Sequence, residues 1–152
     1  MDESTVSSKR KFRVLSSNAN RPVRPEHSQF PHITGVVTIF GDGSTMPPMF
    51  ILPKKKKIDP QLEAYDAFYT MSSSGWMNRF LFTVYCIYFI AEVQKRRADM
   101  LPQDAAQPFL LLVDGHPSRL SFYANDFLRQ FNIDLLVFPV HTSHILQPLL
   151  HF

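Results

Sequence analysis

The residues with the clearest chemical character stand where two apolar runs end abruptly. Pro108-Phe109-Leu110-Leu111-Leu112-Val113 stops at Asp114-Gly115-His116, and Ile133-Asp134-Leu135-Leu136-Val137-Phe138-Pro139 gives way to Val140-His141-Thr142-Ser143-His144. A carboxylate just past a strand, followed by a glycine that lets the chain turn, suits a hard cation such as Mg²⁺. The same residue can instead cap the next helix or close a turn, and position alone leaves both readings open. His141 and His144 are three residues apart, as in some zinc sites, but no third or fourth ligand accompanies them, so two loop histidines making hydrogen bonds is the simpler reading. A different chemistry, attraction of a polyanion, belongs to Lys9, Arg10, Lys11 and Arg13 and to the run Lys54, Lys55, Lys56 and Lys57.

Those residues need elements to hold them. Each apolar run lacks alternation and is too short for a helix, which predicts a strand covered on both faces. Between the two runs Leu120, Tyr123, Phe127 and Phe131 recur every three or four positions, with Ala124 and Leu128 widening the stripe, which predicts a helix over 120–131. Strand, helix and strand within about 30 residues make a βαβ unit with parallel strands. Ligands of open parallel sheets gather outside the carboxyl ends of the strands, so Asp114 and the segment after Pro139 should share one rim.

Upstream, His32 to Phe40 is rich in β-branched residues and stops at Gly41-Asp42-Gly43-Ser44, after which Met46 to Leu52 resumes an apolar extended run. Two strands around an Asp-Gly turn predict a hairpin. Pro47 and Pro48 remove two amide donors and belong at the start of the second strand or on an edge. Phe80, Leu81, Val84, Tyr85, Ile87, Tyr88 and Ala91 have helical spacing, and Lys95 to Arg97 close the last turn. This helix is apolar nearly all round, so it should be deeply buried or lack a partner. Trp76 should pack its start against the sheet, and Cys86 should be a core thiol. Ser4 to Gln29 reads as loop, with Phe12 to Leu15 as a short strand fragment.

Composition narrows the classes. The 152 residues are 45% hydrophobic and 19% charged, enough for one domain, 1–152, with a real core. One cysteine excludes an internal disulfide and favours a reducing compartment. The longest apolar stretch, Phe80 to Ala91, falls well short of the roughly 20 residues that span a bilayer. The polar start Met1-Asp2-Glu3-Ser4 has no secretory h-region. The net charge of +3 hides an asymmetry: residues 1–57 hold ten Lys/Arg against four acids, and the remainder six against nine. Seven of the twelve prolines fall in the first 60 residues, and 1–31 forms a basic, proline-containing segment of turns and extended chain.

Taken together, Leu110 to Ser118 and Phe138 to Leu149 resemble the catalytic core of DDE superfamily endonucleases of the pogo, Tigger and jerky type, transposases of the Tc/mariner superfamily and their domesticated relatives. The motif residues are Asp114, Gly115 and His116, then His141, His144, Gln147 and Pro148. Met1-Asp2-Glu3-Ser4 is similar to the family's first-aspartate motif, Ile33 to Leu52 to its second and third strands, and Ser74-Gly75-Trp76-Met77 to the start of its first helix. The resemblance implies an α/β, ribonuclease-H-like mixed sheet with flanking helices. The resemblance also implies that this fold should be incomplete, with most of the first strand and the C-terminal helices missing. Two halves of the sheet should then face each other across a gap, unless Phe12 to Leu15 slides in.

The implied chemistry is Mg²⁺- or Mn²⁺-dependent phosphodiester hydrolysis and strand transfer, with three carboxylates holding two ions. Asp2 matches the first acid and Asp114 the second, and both would be metal ligands. The third position is Leu150, which cannot ligate a hard cation; His151 is a softer neighbour, and Asp134 begins its strand at the wrong end of the sheet. The resemblance therefore implies a truncated, catalytically inactive domain with residual nucleic-acid affinity. One alternative is a domesticated DNA-binding or protein-interaction module without catalysis, and another is an active transposase whose gene structure is incomplete. The implied partner is DNA in the nucleus, with no membrane and no small-molecule substrate; a homodimer is left open.

Overall fold

A computed structural model describes residues 2–6, 32–54, 66–119 and 121–139, and of residues 2–6 the backbone alone. Strand β1 (Asp2–Val6) pairs antiparallel with β2 (Ile33–Val37), from Asp2 opposite Val37 to Val6 opposite Ile33. Residues 4–6 are thus strand where loop was expected; Phe12 to Leu15 lie outside the described residues. Strand β2 is β-branched at four of its five positions, which suits a pleated, half-buried surface. It pairs antiparallel with β3 (Met49–Pro53), with Val36 opposite Met49 and Thr34 opposite Ile51.

The expected hairpin is present. Beyond Val37 it continues as an arm in which Ile39 bridges Thr45, the Phe40 amide donates to Ser44 O at 2.8 Å, and Gly43 supplies the positive φ of 82° that the turn needs. The pairing shifts by one residue between Val36–Met49 and Ile39–Thr45, placing a bulge at Met46–Pro48. The prolines precede β3, where their missing amides break no ladder. A fourth strand, β4 (Phe68–Ser72), runs parallel to β3 and completes a sheet of order β1-β2-β3-β4. The sequence reading lacks this strand, although Phe68-Tyr69-Thr70 is good β chemistry.

Helix α1 (Arg79–Ala98) starts at Asn78, whose Oδ1 accepts the Leu81 amide at 2.9 Å, and ends in the basic turn Lys95-Arg96-Arg97. Leu81, Phe82, Tyr85, Cys86, Phe89, Ile90 and Val93 are buried, a stripe at three- and four-residue spacing. Of the two expectations for this helix, deep burial and a face without a partner, the second fits: Phe80 and Ile87 are exposed, and the described elements pack against one side. That side reaches both the hairpin and the βαβ unit. Tyr85 Oη lies 2.8 Å from Thr38 Oγ1, Tyr88 donates to Pro47 O at 3.3 Å, and the Arg96 guanidinium lies 3.6 Å above the Phe40 ring while donating to Ser44 Oγ at 2.8 Å. Arg97 reaches the opposite way, donating to Phe131 O at 2.6 Å and Asn132 O at 2.9 Å.

After the single-turn helix α2 (Pro102–Ala105), β5 (Phe109–Val113), α3 (Phe122–Gln130) and β6 (Ile133–Val137) form the predicted βαβ unit. The strands are parallel and in register from Phe109–Ile133 to Val113–Val137. Coverage on both faces is corrected: Leu111, Val113 and Ile133 are buried, whereas Leu110 is 58% exposed and Leu136 49%. Alternation along a strand sends these residues to opposite faces, and the described chain covers one. Helix α3 begins two residues later than expected, because Pro117–Arg119 first forms a 3₁₀ turn. Its buried stripe is Ala124 and Leu128, and Tyr123 is exposed.

The described strands form two sheets, β1-β2-β3-β4 and β5-β6. Between the arm Thr38–Gly43 and β5 lies a cavity of about 1110 Å³, also lined by Phe89 and Arg96. This mixed α/β arrangement with flanking helices is consistent with an incomplete ribonuclease-H-like fold. No helix among the described residues is long and apolar enough to cross a membrane.

Candidate functional site

Parallel pairing of β5 and β6 brings their carboxyl ends to one rim, closed by the Phe138 amide donating to Val113 O at 2.9 Å. Asp114 is the first residue beyond β5, as expected. Gly115 and His116 lead into the 3₁₀ turn, and the Arg119 amide donates to His116 O at 2.9 Å. The cap of α3 is Ser121, whose Oγ accepts the Ala124 amide at 3.4 Å, so capping is not the role of Asp114.

Asp114 faces a cation supplied by its own loop. Oδ1 lies 3.2 Å from Nε of Arg119, and the Arg119 side chain is only 1% exposed. The contact is Coulombic rather than an aligned hydrogen bond, and Oδ1 is enclosed by protein. Arg119 Nη1 donates to Ser118 Oγ at 2.5 Å, and its guanidinium carbon lies 5.4 Å from the centre of the Phe82 ring. Ser118 Oγ sits 2.8 Å from Nδ1 of His116, and the Ser118 amide donates to the same nitrogen at 3.3 Å. An amide can only donate, so Nδ1 is the acceptor of that contact, and the imidazole is exposed. Asp114, Arg119, Ser118 and His116 therefore form one polar chain from a buried guanidinium out to the surface.

Arg119 also reaches into the core electrostatically. Burial pushes the Cys86 thiol up to about 12, with the nearby Arg119 charge opposing the rise. Tyr85 is likewise raised, by burial first, against the Thr38 hydrogen bond and Arg119. Neither group is a nucleophile at neutral pH.

The other expected residues are placed unevenly. Asp2 stands on β1 opposite Val37, with its backbone alone described. Lys54 is exposed just past β3. Lys9, Arg10, Lys11, Arg13, Lys55, Lys56, Lys57, His141, His144, Gln147, Pro148, Leu150 and His151 lie outside the described residues. Trp76 is corrected: it is 54% exposed and stacks on His32, ring centres 3.5 Å apart, rather than packing into the sheet. The important residue that sequence reasoning missed is Arg119. Its one available signal was a basic residue five positions after Asp114 across a loop too short to carry it far.

A pair of divalent ions would need several hard donors converging. No group of three His, Cys, Asp or Glu side chains gathers among the described residues. The carboxylate described on the rim already faces a guanidinium, so this part of the rim does not fit such a pair.

No curated protein and no solved structure matches the chain. Residues 33–151 match the family described as DDE superfamily endonuclease, a span that starts with β2, contains the whole βαβ unit and Asp114, and lies after Asp2. With most of its length matched and its strands, turn and rim residue in the expected order, the chain belongs to the DDE superfamily endonucleases.

Proposed function

We propose that this chain is a transposase-derived, nuclear domain that binds DNA without cutting it. Family membership supports the DNA-directed part, because DDE endonucleases act on DNA and depend on divalent metal. The observation that carries the loss of chemistry is Leu150, which stands where the resemblance places the third acid. Two cations held against a scissile phosphate need compensating carboxylate charge, and an alkyl side chain offers neither charge nor a lone pair. The basic balance of residues 1–57 supports the retained affinity, since neutralising phosphates releases counterions whatever the base sequence.

When bound, the metal pair of a DDE enzyme activates the attacking oxygen and stabilises the leaving one. In this chain the supporting observations suit binding instead: a rim carboxylate that faces Arg119, an exposed His116, and Lys54 at the start of a four-lysine run. Purified protein incubated with supercoiled plasmid and Mg²⁺ or Mn²⁺ should leave the plasmid intact while shifting it in a gel. Nicking that disappears in an Asp114→Ala variant would overturn the reading.

A further inference from the structure

We infer that the resident counter-charge of Asp114 is Arg119 rather than a divalent cation, and that the pair is a structural clasp fastening the rim loop to the core. Burying a guanidinium is unfavourable unless a carboxylate and hydrogen-bond acceptors receive it, and Arg119 is among the most deeply buried side chains described. Its own loop supplies the carboxylate, Asp114 Oδ1 in ion-pair contact at 3.2 Å, and a hydrogen-bond acceptor, Ser118 Oγ at 2.5 Å. On its other side the guanidinium faces Phe82 on α1, whose burial is complete. The clasp thus links β5, the 3₁₀ turn and α1 through one residue. It gives the apolar run ending at Val113 a fixed exit and sets Ser118, and through it the His116 ring, in place.

A metal ion competes badly with this arrangement. A hard cation sits about 2.0–2.6 Å from its carboxylate oxygen. At Oδ1 that puts it within about 6 Å of the guanidinium, two positive groups in a site that little water reaches to screen. Moving Arg119 aside to relieve the repulsion would leave its charge without that carboxylate inside the core. The inference is independent of Leu150: it concerns what Asp114 does in the fold, so DNA cleavage and the clasp stand or fall in separate experiments.

The test uses the full chain and four proteins: wild type, Asp114→Asn, Arg119→Met, and the two changes together. Thermal midpoints and uptake of Mn²⁺ alone, followed by the electron-spin signal of the free ion, are measured on each. A clasp predicts that either single change lowers the midpoint by several degrees, that the double variant recovers most of the loss, and that Mn²⁺ uptake is the same in wild type and Asp114→Asn. It also predicts tighter Mn²⁺ binding in Arg119→Met than in wild type. Should the single variants fail to fold, a folded double variant supports the clasp, and an unfolded one counts against it. Wild-type Mn²⁺ uptake that weakens tenfold or more in Asp114→Asn, with an unchanged midpoint, would overturn it.

Discussion

The hydroxyls of Thr38 and Tyr85 meet at 2.8 Å inside the core, joining the end of β2 to the middle of α1. Both groups are buried, so each satisfies a polar atom that water cannot reach. Replacing Tyr85 by Phe removes one partner and strands the other, and should cost about 1–3 kcal/mol in urea unfolding. Thr38→Val combined with Tyr85→Phe should cost less than the two single changes added together, because no orphan hydroxyl remains. Additivity within a few tenths of a kcal/mol would show that the two groups are not coupled.

Cys86 sets an alkaline limit on stability. Its thiol is held neutral in the fold up to about 12, against an ordinary value of 9.0, because burial disfavours the thiolate. Above pH 9 the unfolded chain ionises and the folded chain does not, so the unfolded state holds fewer protons and stability falls as pH rises. The slope for one such group is at most about 1.4 kcal/mol per pH unit, confined to the interval between 9 and about 12. Cys86→Ala should flatten part of that decline. At pH 8 a thiol reagent should label the native chain only at the rate of unfolding, and rapid labelling would contradict the burial.

Gly75 should tolerate no side chain. Its φ of 77° lies in the left-handed region, and a Cβ there would collide with the carbonyl oxygen of His32, which is backbone. The conformational penalty alone is roughly 1–2 kcal/mol. Gly75→Ala should exceed that figure in chemical denaturation and should also separate Trp76 from His32, read as a change in tryptophan emission. A variant of wild-type stability would mean that this loop is free to move.

The four lysines beginning at Lys54 have a distinct signature in binding. Each phosphate contact contributes a salt-dependence slope of about 0.9 for duplex DNA. Replacing Lys54, Lys55, Lys56 and Lys57 by Ser should therefore lower the slope of log K against log salt by as much as about 3.6, with little change in thermal midpoint. An unchanged slope would assign them to plain solvated surface.

Local chemistry made the hairpin and the βαβ unit readable. The Asp-Gly turn, the prolines ahead of β3 and the two runs ending at Val113 and Val137 each carry their instructions within a few residues. Strand β4 escaped notice because its neighbour β3 is parallel to it, and parallel pairing leaves no turn signature between the partners. Exposure of Leu110 and Leu136 was not legible, and for α1 the sequence left burial and a missing partner both open: apolar runs show what a strand or helix could bury, whereas covering layers are a property of the whole chain. At the rim, Asp114 was found from its place after a strand. Arg119 was hidden because charged side chains are rarely fully buried, and only the folded loop turns this one inward.

Among the described residues, helix α1 bonds to the hairpin side through Tyr85, Tyr88 and Arg96 and to the junction between α3 and β6 through Arg97. The cavity between the sheets gives it little help there. Among the described residues, coupling between the two sheets therefore runs through this helix. Amide hydrogens in α1 should exchange last, and exchange in β2 and β5 should become synchronous once α1 opens. A proline at Val84 or Cys86 would then uncouple the molecule into two units that melt separately, instead of merely lowering one melting temperature.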